Sequence, residues 1–143
     1  MQKKYFQIAT LLLGFSVGLA PQAGYTNPTS TTYAIPDANA VTVSYIKNDR
    51  DWTVNFNATT DGLDWSAIGH SSHDPKKHPI KVQSKKKAWV SVSEAYKEST
   101  LISSYETNDQ QPCILQVLLK GKNCRMSQDS SAFVCVDQFP KQG

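Results

Sequence analysis

Residues 41–57, VTVSYIKNDRDWTVNFN, contain the clearest folding signal in this chain. Two alternating runs, VTVSYIK and WTVNFN, flank NDRD, a cluster of residues that favour turns. A hairpin with NDRD as its loop places three pairs opposite each other: Lys47 and Trp52, Tyr45 and Val54, Val43 and Phe56. Most of the apolar side chains then fall on one face, and the serine, threonine and asparagine side chains on the other. This is the pattern of an antiparallel sheet that is covered on one side.

Similar alternation continues through the rest of the chain, in IKVQ (80–83), AWVSVS (88–93) and TLISSY (100–105). The last third contains CILQVLL, CRMS and AFVCVDQF, separated by the turns KGKN and QDSS. Pairing Leu119 with Cys124 across the first turn, and Ser127 with Ala132 across the second, predicts one core face: Cys113, Leu115, Val117, Leu119, Cys124, Met126, Phe133 and Cys135. Seven or eight short strands without a helical period predict an all-β fold, a small antiparallel β-sandwich or partly open barrel.

The first residues predict the compartment and the domain limits. MQKKYFQIATLLLGFSVGLAPQA (1–23) has a basic start, a short apolar run and small residues at its end, as a secretory signal peptide does. Residues 24–40 are rich in threonine, asparagine, proline and alanine and predict a flexible lead-in. Residues 41–143 then form a single domain with no transmembrane segment. We expect an exported protein, periplasmic or extracellular, with a bacterial type of leader.

Three cysteines in an exported chain predict one disulfide and one remaining thiol. In the pairing above, Cys124 and Cys135 are directly opposed, and their separation suits a disulfide. Cys113 is then a buried free thiol, or an intermolecular one if its strand is at an edge. A cysteine that alternates with leucine and valine on a core face lacks the exposed, electropositive setting of a catalytic nucleophile.

Charge is concentrated in residues 75–87, PKKHPIKVQSKKK, which we call the basic segment. It contains six lysines and no acid, whereas the whole chain has 15 basic and 12 acidic side chains. The segment predicts a surface that binds anions through Lys76, Lys77, Lys81, Lys85, Lys86 and Lys87. Lys85 and Lys87 share the alternation of Trp89, so we expect them on the face of that ring, where sugars or bases can stack. Alternatively, the lysines protect an edge strand from pairing with another chain.

All three histidines lie in GHSSHDPKKHPIK, residues 69–81. His70, His73, Asp74 and His78 are ligand types for zinc, copper or nickel, but their spacing matches no motif with a derivable ligand geometry, and the neighbouring lysines oppose a divalent cation. A solvated polar loop and the margin of an anion site are the two other interpretations. Protonation of the histidines below about pH 6.5 would strengthen anion binding. No cofactor is expected unless a divalent metal binds here.

The function indicated by these features is binding. We expect a small exported protein that engages an anionic glycan, an anionic lipid surface or an acidic protein, ahead of nucleic acid. The alternatives are an inhibitor or accessory subunit of another exported protein, a secreted toxin or effector, and a histidine-metal protein. No GxSxG, HExxH, phosphate-binding or dinucleotide motif occurs in the chain. The sequence thus favours no enzymatic activity.

Overall fold

The computed structural model describes residues 29–137; the predicted signal peptide, residues 1–23, lies outside the described residues. The described part forms nine strands and one short 3-10 helix, Ala38–Ala40. The strands are β1 Ser30–Ala34, β2 Thr42–Lys47, β3 Trp52–Thr60, β4 Leu63–Ser71, β5 Val82–Ser93, β6 Glu98–Thr107, β7 Cys113–Lys120, β8 Asn123–Met126 and β9 Ala132–Val136. Within the described range no helix is long and apolar enough to cross a membrane.

The strands form two antiparallel sheets. One has three strands in the order β1-β9-β8, and the other has six in the order β2-β3-β4-β7-β6-β5. Buried side chains from both sheets form one hydrophobic cluster, which includes Trp65 of β4 and Phe133 of β9, with ring centroids 5.5 Å apart. The predicted all-β sandwich is confirmed, with nine strands rather than seven or eight.

The hairpin of residues 41–57 has the predicted register. Lys47 lies opposite Trp52, Tyr45 opposite Val54, and Val43 opposite Phe56. The next turn contains Asp61 and Gly62, whose φ angles are 50° and 79°. Such angles suit a two-residue hairpin loop, for which Asp-Gly is a preferred sequence. Local sequence therefore determines the fold of β2, β3 and β4.

The predicted pairing of Leu119 with Cys124 is wrong. Leu119 lies opposite Ser99 of β6, and β8 pairs with β9 in the other sheet. The chain changes sheets at Gly121, whose φ is +75° and whose N–H donates to Lys97 O at 2.7 Å. Both arrangements bury the same alternate residues, because the inner faces of the two sheets meet in one core. Alternation alone could not distinguish them.

The segment predicted as a flexible lead-in, 24–40, differs from that expectation in its described part. Residues 30–34 form β1 and pair with β9 along its whole length. Ile35 and Pro36 are buried, and Pro36 O accepts a hydrogen bond from the buried Tyr105 hydroxyl at 2.5 Å. The segment has few apolar residues, but it places several of them in the core, and this holds it against the sandwich. Residues 24–28 lie outside the described residues.

The disulfide prediction is confirmed. Cys124 and Cys135 are opposed neighbours on β8 and β9 and are joined by a 2.05 Å S–S bond. Cys113 is a free thiol, buried on β7 opposite Tyr105. Burial raises the pKa of the Cys113 thiol from 9.0 to about 12. The thiolate is therefore suppressed at neutral pH, which opposes a role as nucleophile.

Candidate functional site

Strand β5 carries three of the six lysines of the basic segment and forms one edge of the six-stranded sheet. It pairs with β6 on one side, and in the described part of the chain no strand pairs with its other side. Its register shifts between Val82 and Ser84 and again between Lys85 and Lys87, so one extra residue is inserted at each position. Bulges and lysines are both devices that protect edge strands from pairing. The edge-protection interpretation thus remains compatible with a binding role.

The second bulge changes the face of one lysine. Lys85 lies opposite Tyr105 and Lys87 opposite Ser104, with Lys86 as the inserted residue. Because Tyr105 and Ser104 are adjacent on β6, Lys85 and Lys87 belong to opposite faces. The expectation that Lys85 shares the face of Trp89 is therefore wrong, since the inserted residue shifts the alternation by one.

Lys87 and Trp89 do lie together. The Lys87 ammonium is 5.5 Å from the centroid of the Trp89 ring, within the range of a cation–π contact. Ala88 and Val90 pack against the core from the opposite face, as their alternation predicts, whereas Val92 is 41% exposed. A partly exposed ring beside an ammonium group thus stands on the outer face of the sheet.

Lys85, Lys86 and Lys87 also line one groove of about 380 Å³, which we call the lysine groove; its other lining residues are Ile35, Ala88 and Ser130. Ser130 belongs to the turn before β9, and Ile35 follows β1, so the groove lies between the edges of the two sheets. The Lys86 ammonium is 3.9 Å from the Glu106 carboxylate, and both side chains are more than half exposed. Such a pair contributes little stability and leaves the ammonium available to a ligand.

The other half of the basic segment belongs to the histidine loop, residues 72–81, between β4 and β5. Asp74 organises its first turn: its carboxylate accepts the Lys76 N–H at 2.9 Å, and its carbonyl accepts the His78 N–H at 2.8 Å. An aspartate that bonds to the backbone two residues later is a common turn device. The Asp74 carboxylate is therefore engaged inside the loop.

Distant residues fix the end of the histidine loop. The Ile80 N–H donates to the Tyr45 hydroxyl at 2.9 Å. The Asn108 side chain accepts the Lys81 N–H at 2.8 Å and donates to Pro79 O at 2.9 Å. The Asn108 N–H also donates to Lys81 O at 3.1 Å. These contacts hold the loop against β2 and against the turn that follows β6, so it is more than a solvated connection.

The predicted metal ligands do not all lie together in the structure. The His73 and His78 rings are 5.3 Å apart in an edge-on arrangement. His70 lies on β4, where its Nδ1 is 3.6 Å from an Asp51 carboxylate oxygen. Across residues 29–137, no group of three histidine, cysteine, aspartate or glutamate side chains could hold a metal ion. Only His73 and His78 of the predicted set share a site.

That shared site is a pocket of about 510 Å³, which we call the histidine pocket. Its charged and titratable lining side chains are two imidazoles, two ammonium groups and one carboxylate: His73, His78, Lys77, Lys81 and Asp109. Lys76 does not line it. Asn108 and Asp109 were not predicted from the sequence, because neither belongs to a motif and both come near the loop only through the pairing of β5 with β6.

Carboxylates elsewhere are engaged in structural contacts. Asp61 accepts the Ala34 N–H at 2.7 Å, which ties the turn after β3 to β1. Asp64 accepts the Thr59 hydroxyl at 3.3 Å across the β3–β4 hairpin, and Asp51 accepts the Asn48 side-chain amide at 2.9 Å. These acids form hydrogen bonds within or beside the hairpin turns.

Comparison with known proteins adds no functional assignment. No family model matches the chain, and searches of curated proteins and of solved structures also found no match.

Proposed function

We propose that the protein is a small exported binding protein that holds an anionic polymer along the basic segment. One observation carries this proposal: a single run of chain provides two basic sites in succession, the histidine pocket and the lysine groove. Asp109 lines the histidine pocket, and Glu106 lies beside Lys86 at the lysine groove. Cationic side chains are therefore in excess in both.

The separation of the two sites favours a polymer over a single small ion. Lys81 and Lys85 are four residues apart, which corresponds to about 13 Å along an extended strand at ~3.3 Å per residue. The two sites share no lining residue, so a group bound in one does not fill the other, whereas a chain that carries repeated charges can occupy both. The linear course of β5 along the sheet edge suits an extended ligand.

Trp89 adds a second kind of contact. Its ring lies beside the Lys87 ammonium on the outer face, next to the lysine groove. Aromatic rings stack on sugar and base faces while neighbouring cations bind the charged substituents. An acidic glycan is the polymer that combines these two features most simply.

Export is part of the proposal. A disulfide persists in oxidising compartments and is rare in the cytosol, and Cys124 is bonded to Cys135. Residues 1–23 have the pattern of a signal peptide. An exported protein meets cell-wall, surface and host glycans, which are the ligands proposed here.

The test uses dextran sulfate as the anionic polymer and uncharged dextran as its control. We expect the Lys85→Gln, Lys86→Gln, Lys87→Gln triple variant to lose binding in isothermal titration calorimetry. Binding by the unchanged protein should weaken steeply as salt rises, because the contacts are exposed charges.

A charge-matched control uses three lysines outside the basic segment, Lys47→Gln, Lys97→Gln and Lys120→Gln. This variant should retain most of the affinity. Equal losses in both triple variants would mean that net charge alone drives binding and would refute the assignment to β5. Binding to vesicles of an anionic phospholipid, without binding to dextran sulfate, would overturn the polymer in favour of a membrane surface.

A further inference from the structure

We infer that the histidine pocket binds one tetrahedral oxyanion, the phosphate or sulfate group of an esterified ligand. The inference rests on the proposed function and deepens it, because it assigns one charged group of the polymer to one pocket. Four basic side chains line this pocket, and all can donate hydrogen bonds to oxygen: His73, His78, Lys77 and Lys81.

The pocket is held in shape before any ligand binds. The Asn108 side chain bonds to the backbone on both sides of Ile80, at Pro79 O and at the Lys81 N–H, and the Tyr45 hydroxyl accepts the Ile80 N–H. On the other side of the loop, the turn at Asp74 fixes the stretch between the two histidines. Because the loop is already ordered, ligand binding carries a smaller entropic cost.

Charge makes the pocket selective for anions in a way that depends on pH. The two lysines outnumber the single Asp109 carboxylate. A histidine side chain gains a positive charge in acid, and two histidines line this pocket. Oxyanion binding should therefore be tighter in acid than at neutral pH.

A metal ion would make the opposite demands. It requires deprotonated imidazoles and carboxylate ligands, so acid would weaken its binding and loss of Asp109 would weaken it further. An oxyanion is repelled by the same carboxylate. Replacement of Asp109 should therefore strengthen the binding of an oxyanion and weaken the binding of a metal ion.

The chain supplies its own matched control. His70 is exposed on β4 beside Asp51 and does not line the pocket. A His70→Gln variant removes one imidazole of the same histidine-rich stretch without touching the pocket. The working variants are the His73→Gln, His78→Gln double variant and Asp109→Asn.

The experiment titrates the full exported chain with sodium sulfate at pH 5.5 and 7.5, at constant ionic strength, and follows the histidine ring signals by NMR. Sulfate is the probe because its charge does not change between these pH values, whereas a phosphate monoester takes up a proton near pH 6. We expect sulfate to bind about ten-fold more tightly at pH 5.5, which corresponds to ~1.4 kcal/mol. The signals of His73 and His78 should shift, and that of His70 should not.

The variants decide the outcome. The double variant should lose the pH dependence, His70→Gln should keep it, and Asp109→Asn should bind sulfate several-fold more tightly. Equal effects in His70→Gln and the double variant would overturn the inference, and so would weaker sulfate binding in Asp109→Asn. Zinc binding that is lost in Asp109→Asn, without sulfate binding, would show a metal site instead.

Failure of this inference can be told from failure of the proposed function. If dextran sulfate binds and sulfate alone does not shift the pocket histidines, the polymer proposal stands and the pocket assignment is wrong. If sulfate binds in the pocket while dextran sulfate does not bind, the polymer proposal is wrong and the pocket is a site for small oxyanions.

Discussion

The core between the two sheets and the basic segment at the sheet edge are stabilised in opposite ways. The core excludes charge: Cys113 and Tyr105 are paired across β6 and β7, and burial raises the pKa of both. The basic segment keeps its ammonium groups in water, and its loop is held by backbone N–H groups that donate hydrogen bonds to Tyr45 and Asn108. Stability should therefore respond to changes in the core, and ligand binding to changes in the basic segment.

The largest effect is expected from Phe133→Ala. Phe133 is fully buried on the three-stranded sheet and contacts Trp65 of the six-stranded sheet. Removal of a buried phenylalanine ring costs about 3–5 kcal/mol, because it combines lost burial with a cavity. Urea unfolding, followed by tryptophan fluorescence, measures this loss.

The Lys85→Gln, Lys86→Gln, Lys87→Gln variant is the counterpart in the basic segment. Exposed substitutions usually change stability by less than about 0.5 kcal/mol, so its unfolding curve should overlay that of the unchanged protein. If this variant loses as much stability as Phe133→Ala, the conclusion that the basic segment contributes little to stability is wrong.

Alkaline pH should act on the core. Burial raises the pKa of Cys113 from 9.0 to about 12, and burial also raises that of Tyr105. A group whose pKa is raised by folding stabilises the folded state while it is protonated. This stabilisation is complete below the pKa of the unfolded state and is lost as the pH rises through the pKa of the folded state. The free energy of unfolding should therefore fall between about pH 9 and pH 12.

A Cys113→Ala variant isolates the thiol in this measurement. It should be less stable at pH 7 because it leaves a small cavity, but its stability should fall less steeply above pH 9. Urea unfolding at pH 7, 9 and 10.5 gives the two slopes. Equal slopes would mean that the buried thiol does not govern the alkaline response.

Some strand registers could be predicted from the sequence, and others could not. The β2–β3 hairpin and the Cys124–Cys135 bridge depend on residues that alternate on neighbouring strands, so their registers were predictable. The crossing from β7 to β8 was not, because the inner faces of both sheets contribute to one core and alternation fits either path. β1 was missed because it has few apolar residues, and the buried Ile35 and Pro36 come after the strand.

The candidate site was harder to predict for a related reason. Alternation placed Trp89 with Lys87 correctly, but no local signal indicates that Lys86 is an inserted residue, which reverses the face of Lys85. The histidine loop depends on Asn108 and Tyr45, which are 27 and 35 residues away along the chain from their partners. Only the three-dimensional pairing of strands brings such partners together.

An Asn108→Ala variant tests that dependence directly, with an expected effect on stability well below that of Phe133→Ala. The substitution removes two side-chain hydrogen bonds, to Lys81 N and Pro79 O, and keeps the backbone bond to Lys81 O. Each such bond is worth about 0.5–1.5 kcal/mol, so we expect a loss of ~1–2 kcal/mol, with faster hydrogen exchange at the Lys81 amide.

The matched control is Asn57→Ala, an asparagine exposed on β3, which should change the unfolding free energy by less than about 0.5 kcal/mol. If the histidine loop is held mainly by Asn108, sulfate binding should weaken in Asn108→Ala while the lysine groove still binds dextran sulfate, though less tightly. If sulfate binds Asn108→Ala as well as it binds the unchanged chain, the turn at Asp74 alone shapes the pocket. Binding in the histidine pocket would then not depend on the contact between Asn108 and the loop. The core would rely on buried contacts between strands, and the basic segment on hydrogen bonds within its own loop.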